Sequence, residues 1–353
     1  MAEVGAAKDA DPATLAGFDV IIDARSPAEY AIDHIPGAVN LPVLNDAERA
    51  EVGTIYVQES RFKARRIGGA YVAHNVARHM EAVMGDWPAS LQPLVYCWRG
   101  GMRSSSMAVI LAQVGWRTSV LAGGYRTYRS RVVRRLYDGE PLSRAVVLDG
   151  NTGSGKTEVL ARLAAHGVQT LDLEGLAAHR GSLFGALPGQ PQPSQKLFES
   201  RLLAAVEALD PTRPVVVEAE SSKIGQLMTP PVLWSAMQAA PRIMLTAPME
   251  ARARYLAHAY AELGRDPEGL IALLSRLPDH PGRKRLEAWT TLARAGELEA
   301  LAAALIEAHY DPAYRRSSRT ADSVMIGEAV LTRLDAEAFE QAAREVAKLA
   351  AAV

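Results

Sequence analysis

The chain has 353 residues, of which 48% are apolar and 22% are charged, so a mainly disordered protein is excluded. Its 39 basic and 40 acidic residues give a net charge of −1, which does not mark the whole chain as a nucleic-acid binder. The single cysteine, Cys97, excludes an internal disulfide and a cysteine-rich metal site. No apolar run reaches the ~18 residues of a membrane helix. The N-terminus lacks the pattern of a signal peptide, so we expect a cytoplasmic protein.

Residues 1–136 alternate between short apolar strands and helices. Strands are predicted at 19–23, 94–97 and 119–121, and a helix is predicted from about 103 to 114. A further helix begins after Ser26, because Pro27 suits a first turn and Glu29 completes a capping box. Alternation of this kind indicates an α/β domain with a mostly parallel sheet.

Residues 137–144 are predicted to be a linker, and a second α/β domain follows at 145–249. Its strands are predicted at 145–149, 169–172, 214–218 and 242–246. From residue 250 to 353, alanine, leucine, glutamate and arginine recur at helical spacing, which predicts a mainly helical C-terminal region.

The second domain opens with a phosphate-binding pattern between a predicted strand and a predicted helix. Its residues satisfy G-x-x-x-x-G-K-[ST] and are Gly150, Asn151, Thr152, Gly153, Ser154, Gly155, Lys156 and Thr157. The glycines let successive backbone N–H groups face phosphate oxygens, the lysine adds a positive charge, and Thr157 could hold Mg²⁺. The pattern predicts binding of a di- or triphosphate and leaves open whether it is hydrolysed.

Acidic residues are expected beside this loop, at the ends of neighbouring strands. Glu218 and Glu220 follow one predicted strand, and Asp172 and Glu174 follow another. Arg180 comes shortly afterwards and could clamp an anionic ligand. Strand termination and a surface helix start remain the alternative explanations for these residues.

Cys97 ends a predicted strand and is followed by two glycines and a helix. A helix N-terminus together with Arg99 and Arg103 predicts a lowered thiol pKa and a nucleophilic thiolate. Cys97 and Arg103 also satisfy the C-x5-R spacing of cysteine-based phosphatases, whereas rhodanese-type sulfurtransferases carry a persulfide on such a loop. Residues 23–30, 34–40 and 121–125 resemble rhodanese signatures, so the fold is better defined than the chemistry.

The pairing of these two domains resembles the bacterial tRNA 2-selenouridine synthases. The resemblance covers residues 18–314 and is carried by the segments 96–104, 150–157, 172–182, 217–221 and 309–312. It implies a transferase that acts on tRNA with a 2-thiouridine wobble base. Sulfur would be replaced by selenium from selenophosphate, through an S-geranyl intermediate made with geranyl diphosphate.

The resemblance implies that Cys97 serves the selenium step and that residues 150–157 bind the phosphorylated donor. No tightly bound cofactor and no dedicated metal site are expected. The geranyl chain needs an apolar wall. Two groups are candidates for it, Met228, Leu233 and Trp234, or Met244 and Leu245, although packing in the core is the more usual role of such residues.

Binding of tRNA requires basic surface, which four clusters could supply. Tyr125, Tyr128 and Trp289 lie among them, as base stacking requires. The clusters are Arg61, Lys63, Arg65 and Arg66; Arg126, Arg129, Arg131, Arg134 and Arg135; Arg283, Lys284 and Arg285; and Arg315, Arg316 and Arg319.

Two other functions remain open. The first is a P-loop kinase or ATPase fused to a rhodanese-fold phosphatase or sulfurtransferase. The second is a non-enzymatic scaffold for sulfur relay or tRNA binding. ATP turnover without tRNA would favour the first, and function that survives Lys156→Ala would favour the second.

Overall fold

A computed structural model describes residues 3–142, 144–277, 282–318 and 324–353, and the chain divides into two compact units. The first unit comprises Met1–Gly139 together with Pro193–Glu207. The second comprises Glu140–Gln192 and Ala208–Val353. Each unit contains a five-stranded sheet whose paired strands run parallel. This arrangement confirms the α/β class.

The first sheet has the strand order β1-β5-β4-β2-β3. Its strands are β1 (Gly5–Ala7), β2 (Val20–Asp23), β3 (Val39–Asn40), β4 (Pro93–Tyr96) and β5 (Ser119–Leu121). The helices along this part of the chain are α1 (Pro12–Leu15), α2 (Pro27–Ile32), α3 (Asp46–Gln58), α4 (Arg61–Ala82), α5 (Met102–Val114) and α6 (Tyr125–Tyr137).

The second half of the chain contributes the other sheet, in the order β12-β11-β6-β8-β7. Its strands are β6 (Ala145–Asp149), β7 (Gln169–Leu171), β8 (Val215–Glu218), β11 (Arg242–Thr246) and β12 (Met325–Val330), and a separate hairpin joins β9 (Lys223–Ile224) to β10 (Leu227–Met228). The helices are α7 (Lys156–Leu163), α8 (Leu173–Ala177), α9 (Gln195–Glu207), α10 (Pro231–Ala239), α11 (Met249–Ala259), α12 (Pro267–Leu274), α13 (Arg283–Ala295), α14 (Leu298–Leu305), α15 (Asp311–Ser318) and α16 (Ala336–Ala351). A π-helical turn over Ile306–Tyr310 joins α14 directly to α15.

Helix α9 differs from the predicted domain plan. It lies within the sequence expected for the phosphate-binding domain, yet it packs on α6 in the first unit. Its buried face includes Leu197, Phe198 and Leu202.

The C-terminal region is mainly helical, as predicted, but it also completes the second sheet. Strand β12 pairs with β11, and α16 packs against α7. Phe339 and Val346 of α16 thereby join the core that contains Val146 and Leu148 of β6. Central strand β6 is buried along its whole length, so the loop that follows it is held by a rigid base. None of the described helices combines the length and the apolar character needed to span a membrane.

Candidate active sites at the cysteine loop and the phosphate loop

Cys97 lies at the carboxyl end of β4 and begins the cysteine loop, residues 97–101. The loop ends at Gly101, which precedes the first residue of α5. The side chain is 3% exposed. Its Sγ lies 3.1 Å from Ser104 Oγ, and the Ser104 hydroxyl is also 3.1 Å from the Gly101 carbonyl oxygen. The sulfur is therefore held beside the first turn of a helix, as the sequence predicts.

The cysteine loop is fixed by the segment that precedes α6. The Tyr125 N–H donates to the Cys97 carbonyl at 2.8 Å, and the Arg126 N–H donates to the Trp98 carbonyl at 3.2 Å. Gly124 has a φ of +61°. A Cβ at Gly124 would lie 2.2 Å from the Cys97 carbonyl oxygen, so only glycine permits this close approach.

A buried polar network lies at the ends of β2 and β4. The Arg25 guanidinium is 1% exposed and donates to Asp23 Oδ2 at 2.5 Å, while the Tyr96 hydroxyl donates to the same oxygen at 2.7 Å. Tyr125 donates to Asp33 Oδ2 at 2.6 Å. Burial, followed by the hydrogen bond to Asp33, raises the pKa of Tyr125, which remains protonated. The network is a rigid support for the cysteine loop.

The two arginines expected to flank the sulfur have different environments. Arg103 Nη1 donates to Glu29 Oε2 at 2.7 Å, and Arg49 contacts the same carboxylate at 3.0 Å. Burial opposes ionisation of Glu29, but the hydrogen bond from Arg103 and the two positive charges hold its pKa below the ordinary value. Arg99 is exposed and forms no ion pair within the described residues. Of these two arginines, Arg99 is thus the one whose charge no described carboxylate offsets.

The phosphate loop, residues 150–157, connects β6 to α7. Gly150, Gly153 and Gly155 all have positive φ, which gives the backbone the curl expected from the sequence. Lys156 Nζ donates to the Gly150 carbonyl at 2.8 Å and so lies along the loop. Ser154 Oγ is buried and has no hydrogen-bond partner among the described residues.

Three carboxylates form an acid cluster beside the phosphate loop: Glu174, Glu218 and Glu220. One oxygen of each lies within 4.8 Å of the others. The Thr157 hydroxyl donates to Glu174 Oε2 at 3.0 Å and is 3.3 Å from Glu218 Oε2. Burial, followed by repulsion between the carboxylates, raises the pKa of Glu218 to about 8 and those of Glu174 and Glu220 to about 7. This donor set, a hydroxyl with clustered carboxylates, suits a hard divalent cation such as Mg²⁺.

Two residues predicted near these acids have other partners. Asp172 is the N-cap of α8 and accepts a hydrogen bond from the Gly175 N–H at 2.7 Å. Arg180 donates to Glu262 at 2.7 Å and lies over the Tyr260 ring at 4.7 Å. Both side chains are therefore occupied within the protein.

An apolar pocket opens beside the phosphate loop, and we call it the tail pocket. It reaches Thr152 of the loop, and most of its wall comes from α11, α12 and α14 and the residues that follow them. The lining residues are Thr152, Ser182, Phe184, Leu256, Ala257, Tyr260, Leu263, Leu270, Leu298, Leu301, Ala302, Leu305 and Tyr310.

The tail pocket is not lined by the apolar residues singled out in the sequence. Leu233 and Leu245 are core residues, with 2% and 0% exposure, and Met228 is 50% exposed on β10. Met244 and Trp234 are partly buried but do not line the pocket either. The buried positions of Leu233 and Leu245 agree with the alternative role of core packing. The tail pocket forms instead where helices of the C-terminal region pack together, and no short sequence motif marks it.

Sequence reasoning also missed an ion pair near the loop. Asp311 at the start of α15 accepts a hydrogen bond from Asn151 Nδ2 at 3.1 Å. The same carboxylate pairs with Arg252 of α11, whose Nη2 lies 2.7 Å from Asp311 Oδ1. The signal was available, because segment 309–312 contributes to the family resemblance.

The basic clusters differ in how much free positive charge they present. On α4, Arg61, Arg65 and Arg66 are exposed and form no ion pair with described residues, while Lys63 pairs with Glu59 at 2.5 Å. Phe62, 76% exposed, lies among them.

The cluster on α6 is partly neutralised. Arg129 pairs with Glu199 of α9, and Arg131 pairs with Glu207 and with Asp11. Arg135 Nε lies 3.9 Å from Glu207, whereas Arg126 and Arg134 are exposed. The prediction that this whole run faces tRNA phosphates is therefore wrong for Arg129 and Arg131.

The remaining basic residues lie in the C-terminal region. Arg283, Lys284 and Arg285 are exposed at the start of α13, where Arg283 pairs with Glu287 at 2.9 Å. Arg315 is exposed on α15, whereas Arg319 and the side chain of Arg316 lie outside the described residues.

The aromatic residues proposed to stack on bases are buried. Tyr125 and Tyr128 are each 3% exposed, and Trp289 is 4% exposed. They pack inside their units, because each lies on the buried face of its helix. Base stacking by these three rings is excluded.

Comparison with known proteins identifies both domains. Residues 5–131 match the rhodanese-like domain, and residues 143–266 match the tRNA 2-selenouridine synthase AAA domain. A tRNA 2-selenouridine synthase of Cupriavidus pinatubonensis is 33% identical over 347 residues, which covers 87% of this chain and 92% of the relative. A protein of the same description from Shewanella denitrificans is 34% identical over 270 residues, covering 75% of this chain and 70% of the relative. The chain therefore belongs to the tRNA 2-selenouridine synthase family.

Proposed function

We propose that this protein is a tRNA-modifying transferase that converts wobble 2-thiouridine to 2-selenouridine. Geranyl diphosphate and selenophosphate are the proposed co-substrates. The observation that carries the proposal is the position of the tail pocket, which shares Thr152 with the phosphate loop. A loop that suits a diphosphate next to an apolar pocket fits a ligand with a charged head and a hydrocarbon tail.

In the proposed first step, the sulfur of 2-thiouridine attacks C1 of geranyl diphosphate. The S–C bond forms as the C–O bond breaks, and diphosphate leaves. Lys156 and the backbone of the phosphate loop stabilise the negative charge that develops on the departing group. Lys156 exchanges its contact with the Gly150 carbonyl for a phosphate oxygen in this step.

The acid cluster has a separate role in the proposal. Thr157, Glu174 and Glu218 would hold Mg²⁺, with Glu220 beside them. The ion would supply further positive charge to the diphosphate. Without a cation, the ionised carboxylates of this cluster, of which Glu218 is buried and the other two are half-buried, would repel an anionic ligand.

In the proposed second step, selenium replaces sulfur at C2 of the base. Selenium attacks C2, the C–S bond breaks, and geranyl thiol leaves, while hydrolysis of the P–Se bond of selenophosphate releases phosphate. Cys97 guides the hydrogen selenide released in this way to C2 without forming a covalent S–Se bond, because that bond would require an oxidant. Arg99, which has no ion pair among the described residues, attracts the selenophosphate anion. The rhodanese-like match supports this assignment, because that fold carries sulfur on a loop cysteine.

The exposed arginines of α4 are the proposed contacts to tRNA phosphates. Arg61, Arg65 and Arg66 supply unpaired charge, and Phe62 offers a ring on which an unpaired base could stack. Arg126 and Arg134 of α6 and the cluster 283–285 of α13 remain further candidates for the same role.

The test is mass spectrometry of wobble nucleosides after incubation with thiolated tRNA, geranyl diphosphate and selenophosphate. We expect selenouridine from the wild type, S-geranyl-thiouridine alone from Cys97→Ala, and neither product from Lys156→Ala. Loss of the Lys156 contact should weaken geranyl diphosphate binding by ~1.5–3 kcal/mol. Lys348→Ala, which removes an exposed lysine of α16, is the matched control and should behave as wild type.

Three outcomes would contradict the proposal. If folded Cys97→Ala still bound tRNA but made no S-geranyl product, the separation of the two steps would be wrong. Tight ATP binding with no binding of geranyl diphosphate, or ATP turnover without tRNA, would favour a kinase or ATPase. Selenouridine formation by Lys156→Ala would favour a scaffold role for the loop.

A further inference from the structure

Asp311 contacts two other elements of the second unit through one carboxylate. Its Oδ1 accepts from Asn151 Nδ2 of the phosphate loop at 3.1 Å and from Arg252 Nη2 of α11 at 2.7 Å. Its Oδ2 accepts from Arg252 Nη1 at 3.2 Å. The two bonds to Arg252 are bidentate, which fixes the direction of the guanidinium as well as its position.

The pair is shielded from solvent. Arg252 is 4% exposed, and the Asp311 side chain is 18% exposed. Arg252 Nε is buried and has no hydrogen-bond partner within the described part of the chain. A charge pair in such surroundings keeps its geometry, because separating the partners would leave a buried charge uncompensated.

One helix of this pair, α11, forms a wall of the tail pocket, and the other, α15, begins directly after the lining residue Tyr310. Leu256 of α11 lines it one turn after Arg252. Leu301 and Leu305 of α14 line it, and Tyr310 lines it immediately before Asp311. The ion pair therefore joins α11 to α15. It lies beside Asn151, at the end of the pocket that reaches the phosphate loop.

The connection between pocket and ion pair is a short, continuous piece of helix. The π-helical turn Ile306–Tyr310 separates α14 from α15 without a break in the chain. Such turns hold an extra residue per turn and often occur at functional sites. A shift of Leu305 or Tyr310 against a ligand would be passed to Asp311 within a few residues.

We propose that Asp311 is a positioning residue that couples the tail pocket to the phosphate loop. An apolar chain in the pocket sets the spacing of α11 and α14, the Arg252–Asp311 pair follows that spacing, and the carboxylate orients the Asn151 amide at the loop. Binding of the tail then strengthens binding of the diphosphate head. This inference rests on the proposed function, because it requires a prenyl diphosphate as the ligand.

The experiment uses calorimetry to measure binding of the two halves of the ligand, diphosphate and geraniol, separately. Inorganic diphosphate is titrated into the full chain with Mg²⁺, in the absence and in the presence of saturating geraniol. We expect geraniol to tighten diphosphate binding roughly 5- to 20-fold in the wild type, within the usual range for coupled sites. In Asp311→Asn the ratio should fall to about one, while the affinity for geraniol alone is retained.

Two further variants keep the test decisive. Asn151→Ala removes the amide that Asp311 contacts, so the ratio should again fall to about one. This variant provides the test if Asp311→Asn does not fold. Glu268→Gln breaks an exposed ion pair with Arg294 in the same helical region and should retain full coupling. If geraniol did not change diphosphate binding in the wild type, or if coupling were complete in Asp311→Asn or Asn151→Ala, the inference would be wrong but the proposed function would stand. A wild type that bound neither probe would overturn the proposed function as well.

Discussion

Arg103 Nη1 lies 2.7 Å from Glu29 Oε2, so the arginine of the C-x5-R spacing is held by a carboxylate of α2. Arg49 contacts the same carboxylate, and together the three side chains join α2, α3 and α5. An arginine engaged in this way has less charge to offer to a phosphate ester. The pair therefore favours a rhodanese-type site over a phosphatase site.

The Glu29–Arg103 pair should contribute to stability and have little influence on reactivity. Both side chains are mostly buried, at 15% and 21% exposure, so we expect a coupling free energy of about 1 kcal/mol. A double-mutant cycle with Glu29→Gln and Arg103→Met, followed by urea unfolding, measures it. Arg99→Ala should leave the urea midpoint unchanged but slow selenouridine formation. A large loss of stability in Arg99→Ala would contradict this assignment.

Helix α9 should be required for the stability of the first unit. Glu199 is 1% exposed and pairs with Arg129, while the Tyr137 hydroxyl donates to it at 2.7 Å. Glu199→Ala removes the nearer carboxylate partner of Arg129 and leaves Asp33, whose Oδ2 lies 3.9 Å from Arg129 Nη1. We expect a loss of about 3 kcal/mol in the free energy of unfolding, at the low end for a broken buried pair. Arg129→Met in the same chain should restore part of the loss. Equal stability of the single and double variants would show that the pair is not coupled.

Stability should fall with rising pH because of the acid cluster. Burial, then repulsion, raises the pKa of Glu218 to about 8 and that of Glu220 to about 7, whereas an unfolded glutamate titrates at about 4.3. The folded cluster therefore binds more protons than the unfolded chain between these values. Its contribution to stability is present at low pH and is lost as pH rises through about 7 to 8.

The measurement of this pH dependence is the urea midpoint between about pH 5 and pH 8.5, without divalent cations. Each unit of pKa difference corresponds to about 1.4 kcal/mol, so a fall of at least that size is expected. Glu220→Gln should flatten the profile, and Mg²⁺ should reduce the fall at high pH. An identical profile in Glu220→Gln would show that the cluster does not control it.

Binding of tRNA should depend on the free arginines of α4 more than on the paired ones of α6. Neutralising Arg61, Arg65 and Arg66 should reduce the salt slope by up to three phosphate contacts, about 0.7–0.9 each. The matched control is Arg131→Met, which removes a paired arginine and should leave the slope unchanged. Filter binding across a range of salt concentrations measures both. An unchanged slope in the α4 triple variant would exclude this face.

Local patterns predicted β2, β4 to β8, β11 and both loops, because each depends on residues close together in the chain. They did not predict β1, β9, β10 or β12. For example, strand β6 (Ala145–Asp149) and the phosphate loop that follows it lie at the predicted positions. Buried apolar runs and glycine spacing are patterns that extend over only a few residues. Contacts between residues that are distant in the chain could not be predicted from such patterns. The charges of Arg129 and Arg131 predicted exposure, but their partners Glu199 and Glu207 lie 70 and 76 positions away in the chain.

The acid cluster shows the same limit within one motif. Asp172 and Glu174 both follow β7, and the sequence could not choose between them. Asp172 is used as a helix cap, which turns the next acid, Glu174, toward Thr157. The tail pocket could not be predicted from the sequence for another reason. Most of its wall comes from three helices in a region of uniform composition.

The placement of α9 has a consequence for how the protein is made. The polypeptide leaves the first unit after Gly139, builds β6, the phosphate loop and β7, and returns to the first unit at Pro193. A ribosome must therefore synthesise the phosphate loop before the last helix of the first unit exists. Until Glu207 has emerged from the exit tunnel, the nascent chain holds Arg129 and Arg131 without their carboxylate partners on α9. The two units are thus interleaved in the order of their synthesis, and the first is complete only when part of the second has already been made.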